Sequence, residues 1–108
     1  VIHRFFEERR EKALLLISGD LAHTHLPENP YNFAPEAIVF DESVEQWLKS
    51  ADSSLLLRNA AEINHKALSC GFTGLVVAQG ILESRKRSLR LLVRRHPTCF
   101  GMMCAFLS

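Results

Sequence analysis

The sequence predicts an α/β protein with a mixed sheet and flanking helices, in one domain of 108 residues. Three observations lead to this fold class. An apolar run of strand length ends at Ser18-Gly19, helical apolar spacing follows, and two apolar stretches flank Pro97. Ionisable side chains come directly after the first apolar run, and α/β sheets place reactive groups at such strand ends.

The first half of the chain is predicted to contain a helix, a strand and a long loop. Residues 1–12 carry Ile2, Phe5 and Phe6 on one side and charges elsewhere, as the last turns of an amphipathic helix do. The unbroken apolar run 13–18 predicts a strand that is buried on both faces, as in a parallel sheet. Residues 19–34 are predicted to form a long loop, and loops of this length are often functional.

Helices and a closing pair of strands are predicted for the remainder. Pro35 suits the first turn of a helix that runs to about Ser50. Its core-facing stripe consists of Phe40, Val44, Trp47 and Leu48. A capped segment from residue 52 or 53 leads into a helix that ends near Cys70, with Gly71 as its C-cap. Length favours a helix over residues 73–83, and strands are predicted over 89–94 and 100–107.

Composition excludes several classes of function. The chain is 47% hydrophobic and 23% charged, as ordinary globular proteins are. No apolar run approaches the roughly 20 residues that span a bilayer, and no signal-peptide pattern opens the chain, so we expect a cytoplasmic protein without a membrane partner. The odd number of cysteines, 3, and the absence of a CxxC pair argue against a disulfide framework or a zinc knuckle.

A basic run precedes and enters the predicted C-terminal strands. Six of the 13 Lys and Arg residues lie in it: Arg85, Lys86, Arg87, Arg90, Arg94 and Arg95. Such a run can bind phosphate backbones. No aromatic residues alternate with it, however, and charges on a strand edge prevent unwanted pairing without any ligand. Since the net charge is only +1, we expect no nucleic-acid partner.

His23 and Asp20 are the clearest candidates for chemistry. An imidazole with an ordinary pKa of about 6.5 can act as a general acid or base, or it can simply bond a backbone carbonyl of the loop. Asp20 can orient the ring of His23, or it can satisfy backbone amides of the turn. His23 and His25 would face the same side of an extended segment and suit a transition metal. No third ligand stands at a recognisable spacing, so the residues alone predict no metal site made only from this chain.

One group of motifs resembles a known family. Residues 18–24, Ser-Gly-Asp-Leu-Ala-His-Thr, are followed by Asn-Pro-Tyr-Asn-Phe-Ala-Pro-Glu at 29–36 and by Phe40-Asp41. This order resembles the class III extradiol ring-cleavage dioxygenases, the LigB-like superfamily, and most of all the AmmeMemoRadiSam-system B-like proteins. The resemblance continues at 67–71, at 80–82 and at the closing hairpin with Phe100-Gly101-Met102, and it covers about residues 13–107.

The resemblance implies a fold, an activity and roles for named residues. The chain would be the C-terminal portion of a LigB-like catalytic domain, with a phosphorylase/hydrolase-like fold. The family is an oxidoreductase family in which non-haem Fe(II) binds a small aromatic, catecholic substrate and O2. The histidine of the motif, by position His23, acts as the acid/base, with Asp20 as its support. His25 and Tyr31 would line the mouth of the same pocket.

Two departures from the family pattern limit what the chain does alone. The family's two histidine ligands lie upstream of these residues, so the Fe(II) ligands are expected outside this chain. The family's glutamate ligand follows a Gly-x-Glu pattern, and here Gly74-Leu75-Val76 places Val76 at that position, while Glu83 is two turns further on. We therefore expect the 108-residue chain to be inactive alone and prone to assembly. Whether it forms a homo-oligomer stays open. A catalytically inactive binding or signalling module is the alternative.

Overall fold

The computed structural model describes residues 2–28, 30–84 and 87–107. Four α-helices, a π-helical segment and two strands make up this part of the chain: α1 (Ile2–Glu7), α2 (Glu36–Ser50), the π-helical segment (Leu55–Ala60), α3 (Ala61–Ala67), α4 (Phe72–Ser84), β1 (Leu89–Arg95) and β2 (Met102–Leu107). The strands form a two-stranded antiparallel sheet. The protein is therefore mixed α/β, as its class was predicted. Within the described ranges, no helix has both the length and the apolarity to cross a membrane.

Helix α2 supplies the centre of the core. All four residues of its predicted stripe are buried, and Trp47 and Phe40 are the largest fully buried side chains. The Nε1 atom of Trp47 donates a hydrogen bond to Oε1 of Gln79 in α4 at 2.6 Å. A buried indole N–H usually needs such a hydrogen-bond partner. This contact therefore holds α4 against α2 without leaving the indole N–H unpaired.

The β-hairpin is attached to α2 by charged side chains. Arg94 on β1 donates to a carboxylate oxygen of Glu45, and Lys49 donates to the other at 2.5 Å. Hydrogen bonds from Lys49 and Arg94 hold the pKa of Glu45 below its ordinary value. The strand register changes between Leu91 and Val93, and both strands keep one half-buried row facing the helices.

The middle of the molecule is occupied by residues 20–25, which we call the central segment. It is irregular backbone, and residues 21–25 are buried. On one side, Leu21 N–H donates to the carbonyl of Gly101 at 2.8 Å, and Gly101 N–H donates to that of Ala22 at 2.7 Å. On the other side, His23 N–H donates to the carbonyl of Ala67 at 2.8 Å. The central segment therefore joins the hairpin turn to the turn between α3 and α4.

The predicted strand over residues 13–18 is wrong. These residues are irregular, and Leu14 and Leu16 are 88% and 81% exposed. An apolar run becomes a buried strand only when a neighbouring strand accepts its hydrogen bonds, and no strand in the described part of the chain does so. Ile17 is half-buried and lies against Gly74, where a Cβ atom would overlap its side chain.

Two helix ends also differ from the prediction. Helix α1 ends at Glu7 in place of Lys12, and residues 8–12 are exposed. Helix α3 ends at Ala67, and the C-cap with a left-handed φ of 57° is Leu68 in place of the predicted Gly71. Gly71 is needed for another reason, since a Cβ there would lie 2.8 Å from the carbonyl oxygen of Asp20. Asn29 of the predicted loop, and Arg85 and Lys86 of the basic run, lie outside the described residues.

Gly101→Ala is expected to destabilise the protein, because the added Cβ would overlap the buried carboxylate of Asp41. Overpacking of this kind costs about 1–3 kcal/mol. Gly80→Ala is the matched control, since nothing lies within 4 Å of a Cβ there and alanine favours a helix by up to about 1 kcal/mol. Urea unfolding followed by circular dichroism gives both changes, and equal stabilities for the two variants would contradict the packing described here.

The 108-residue chain is expected to self-associate as its concentration rises, because the side chains of Leu14 and Leu16 expose apolar surface. The double variant Leu14→Lys, Leu16→Lys should shift the sedimentation profile toward monomer. Leu57→Lys, a change at a leucine that is 45% exposed on the π-helical segment, should leave the profile unchanged. A monomeric wild-type chain that unfolds cooperatively would contradict this expectation.

Candidate metal centre

Three side chains with metal-binding atoms converge beside the central segment. Asp20 and His23 come from that segment, and Cys70 comes from the turn between α3 and α4. One carboxylate oxygen, one ring nitrogen and the sulfur all lie within 4.8 Å of one another. Asp20 is half-buried, His23 is buried and Cys70 is exposed, so the group opens to solvent on the side of the sulfur.

The ring of His23 lacks a hydrogen-bond partner at one nitrogen. The residue is 8% exposed, and its Nε2 is buried without a hydrogen bond among the described residues. The nearest carboxylate oxygen, Oδ2 of Asp20, lies 3.6 Å away, which is longer than a hydrogen bond. An unpaired buried polar atom costs about 1–3 kcal/mol, so a ligand that binds Nε2 would relieve an unfavourable state of the free protein.

Cys70 is brought to this site by backbone contacts that span 50 residues of sequence. Asp20 N–H donates to the sulfur of Cys70 at 3.2 Å, and Gly71 N–H donates to the carbonyl of Asp20 at 2.9 Å. Ser69 Oγ donates to the same carbonyl at 2.8 Å. These contacts use the backbone of Asp20, whereas its two predicted roles concern the carboxylate, which lies beside His23.

The donor set fits a divalent transition metal. Carboxylate oxygen, imidazole nitrogen and thiolate sulfur are the ligands that zinc and iron take in proteins. Any such ion would be held from this chain by Asp20, Cys70 and, if it serves as a ligand, His23. The convergence of a carboxylate oxygen and a sulfur beside a ring nitrogen, all within 4.8 Å of one another, is the observation that supports the fit. The sequence analysis missed Cys70, although residues 67–71 carried part of the family resemblance.

His25 lies in the interior beside another carboxylate that the sequence analysis did not select as a functional residue. The Nε2 of His25 lies 2.7 Å from Oδ2 of Asp41, and both side chains are at most 1% exposed. The other oxygen of Asp41 accepts a hydrogen bond from Ala22 N–H at 2.9 Å. Burial raises the pKa of Asp41 above its ordinary value, and these two hydrogen bonds oppose part of the shift. Asp41 stood in the Phe40-Asp41 motif, which could have drawn attention to it.

Aromatic rings surround the two histidines. Tyr31, which is 43% exposed, and Phe100 lie with their ring centroids 5.1 and 4.8 Å from that of His23. His96 stacks on His25 at 4.6 Å with an interplanar angle of 5°. The structure therefore brings Asp20, His23 and Tyr31 to one site, with His25 directed to Asp41.

Val76 and Glu83 both belong to α4. Val76 is half-buried, and Glu83 accepts a hydrogen bond from Nε2 of Gln79 at 3.0 Å. Among the described residues, the cluster of possible metal ligands contains neither of them. The carboxylate of Glu83 therefore supports the Trp47–Gln79 contact between α2 and α4.

Comparison with known proteins finds a protein of similar sequence. No family model matches the sequence. Over 80 residues, 74% of this chain, it is 30% identical to Protein CA_C1420 of Clostridium acetobutylicum. The matched region is 17% of the length of that protein.

The pKa shift of Asp41 predicts how stability changes with pH. A folded-state pKa above the unfolded value means that the native state holds the proton more tightly, so the contribution of Asp41 to stability falls as pH rises from about 4. Asp41→Asn cannot titrate. We therefore expect the free energy of unfolding of wild type, relative to Asp41→Asn, to decrease between about pH 3 and about pH 7 in urea titrations.

Asp52→Asn provides a control of opposite sign. Hydrogen bonds from the hydroxyl and the N–H of Ser54 lower the pKa of Asp52, so its contribution is present above its ordinary pKa and is lost as pH falls through the lowered pKa. Wild type should therefore gain stability relative to Asp52→Asn over the same rise in pH. If the difference in free energy of unfolding between wild type and Asp41→Asn does not change with pH, burial does not raise the pKa of Asp41.

Proposed function

We propose that this chain forms one side of a metal-dependent site in a homologue of the LigB-like extradiol dioxygenases, which cleave catecholic rings with O2. The observation that carries the proposal is the buried, unpartnered Nε2 of His23 next to the carboxylate of Asp20 and the thiol of Cys70. The resemblance of residues 18–24 to the family motif supports the same assignment. In this proposal the mixed α/β arrangement is the C-terminal portion of the LigB-like fold.

The residues of the site have separate roles in the proposed reaction. When bound, non-haem Fe(II) supplies a centre at which a catecholate and O2 can exchange electrons. Asp20 and Cys70 would hold the ion from the present chain, and the remaining ligands would come from outside it. His23 takes the proton of a substrate hydroxyl at Nε2 and later returns it. Burial around His23 keeps bulk water from competing for that proton.

Val76 favours a second candidate function. An aliphatic side chain at the family's glutamate position cannot bind a metal, and Glu83 is already hydrogen-bonded to Gln79. A family member that has lost iron would keep the same fold and the same aromatic pocket. It would then act as a binding or signalling module that takes a small molecule or a peptide side chain at His23 without chemistry.

Iron retention and oxygen uptake by the full-length protein that contains this sequence test the proposal. The protein is loaded anaerobically with Fe(II), desalted, and offered a panel of catechols. We expect retained iron, oxygen uptake and a yellow ring-opened product. His23→Ala should lower the rate of uptake about 100-fold or more while iron is retained, because general acid–base catalysis is worth about that much. Cys70→Ser should lower the amount of iron retained.

Matched controls separate these effects from general damage. His65→Ala changes an exposed histidine whose Nδ1 lies 3.0 Å from a carbonyl of its own helix, and Cys104→Ser changes an exposed cysteine on β2. Both should behave as wild type. Loss of iron in His23→Ala would make His23 a ligand in place of an acid/base. The absence of both iron and uptake in wild type would overturn the dioxygenase proposal in favour of the binding module.

A further inference from the structure

The turn between β1 and β2 carries an aromatic ring to the edge of the candidate metal centre. The ring of Phe100 meets that of His23 almost at a right angle, 86°, with the centroids 4.8 Å apart. Tyr31 comes from the loop before α2, and its centroid lies 5.1 Å from His23 and 6.2 Å from Phe100. We call Tyr31 and Phe100 the aromatic wall.

The backbone on both sides of Phe100 is fixed to the central segment. The carbonyl of Cys99 accepts a hydrogen bond from His25 N–H at 3.2 Å, and Gly101 both donates to and accepts from that segment. Phe100 N–H donates to the hydroxyl of Thr98 at 3.3 Å. Phe100 is therefore held rigidly beside His23, and little conformational entropy would be lost when a ligand packs on it.

Both rings of the aromatic wall keep accessible surface beside His23. Tyr31 is 43% exposed and Phe100 is half-buried, so both rings keep surface that another ring can cover. Asp20 and Cys70, the more accessible members of the metal cluster, are also open to solvent. Since both ring centroids lie within 5.1 Å of that of His23, a planar ligand bound at this imidazole is within reach of these rings.

We propose that Phe100 is a specificity-determining residue, which selects planar aromatic ligands for the metal centre by ring-to-ring contact. The inference rests on the proposed function for the presence of a metal. Aromatic pairs prefer stacked or edge-to-face geometries and are worth more than the area that they bury. An aliphatic chelator with the same oxygen donors gains none of this contact, so Phe100 distinguishes it from a catecholate.

Two chelators with and without a ring test this role. 4-Nitrocatechol and acetohydroxamate both bind a metal through two oxygens, and only the first offers a ring. The full-length protein is loaded with Zn(II), and the affinity for each chelator is measured by titration. We expect Phe100→Leu to weaken 4-nitrocatechol binding about threefold to tenfold, as the range for one aromatic pair implies, and to leave acetohydroxamate and Zn(II) affinity unchanged.

Two further variants keep the test sharp. Phe100→Tyr retains a ring and should restore the preference for 4-nitrocatechol. Phe33→Leu removes a 52% exposed phenylalanine from the loop that carries Tyr31, and it should match wild type for both chelators. Equal weakening of both chelators in Phe100→Leu would show a merely structural role and overturn the inference. An unchanged affinity for 4-nitrocatechol in that variant would also overturn it.

The same titrations without metal separate this inference from the proposed function. If Zn(II) does not bind, the metal site fails, and 4-nitrocatechol is titrated into the metal-free protein. Weaker binding by Phe100→Leu than by wild type would then support the aromatic wall on its own. Absence of 4-nitrocatechol binding to either form of wild type would overturn the inference about Phe100.

Discussion

The buried carboxylate of Asp41 is the constraint on which the rest of the structure depends. Both of its oxygens are used, one by Ala22 N–H and the other by the ring of His25. Desolvation makes this arrangement costly unless both hydrogen bonds form together, so Asp41 fixes the central segment against α2 in one position only. The close approach of Gly101 to the same carboxylate extends that constraint to the hairpin turn.

From this anchor the functional side chains acquire their positions. The central segment hydrogen-bonds to the hairpin turn on one side and to the turn after α3 on the other. Phe100 is thereby placed beside His23 from the first turn, and Cys70 is placed beside Asp20 from the second. Neither turn is itself part of a long helix or strand. The backbone hydrogen bonds of the central segment therefore fix the positions of the two turns and of their side chains.

The sequence predicted what depends on local spacing and missed what depends on distant partners. The stripe of α2, the helix α4 and the two strands of the hairpin are confirmed, because their apolar periods are local properties. The strand over 13–18 is wrong, because pairing needs a neighbour that no local pattern supplies. Cys70 meets Asp20 across 50 residues, so no spacing pointed to it. The assignment of His23 as acid/base stays a prediction from the family motif.

His23 and His25 do not share a site, although their spacing predicted that both would face the same side. An extended strand would place His23 and His25 on the same side, but the central segment is irregular, and each ring meets different partners. His25 finds a buried carboxylate at 2.7 Å and a stacked ring, so its polar needs are met within the protein. His23 is almost as deeply buried, yet its Nε2 has no such partner among the described residues. The fold therefore satisfies the imidazole of His25 and leaves Nε2 of His23 without a hydrogen bond beside a carboxylate and a thiol, which is the difference that separates the two histidines.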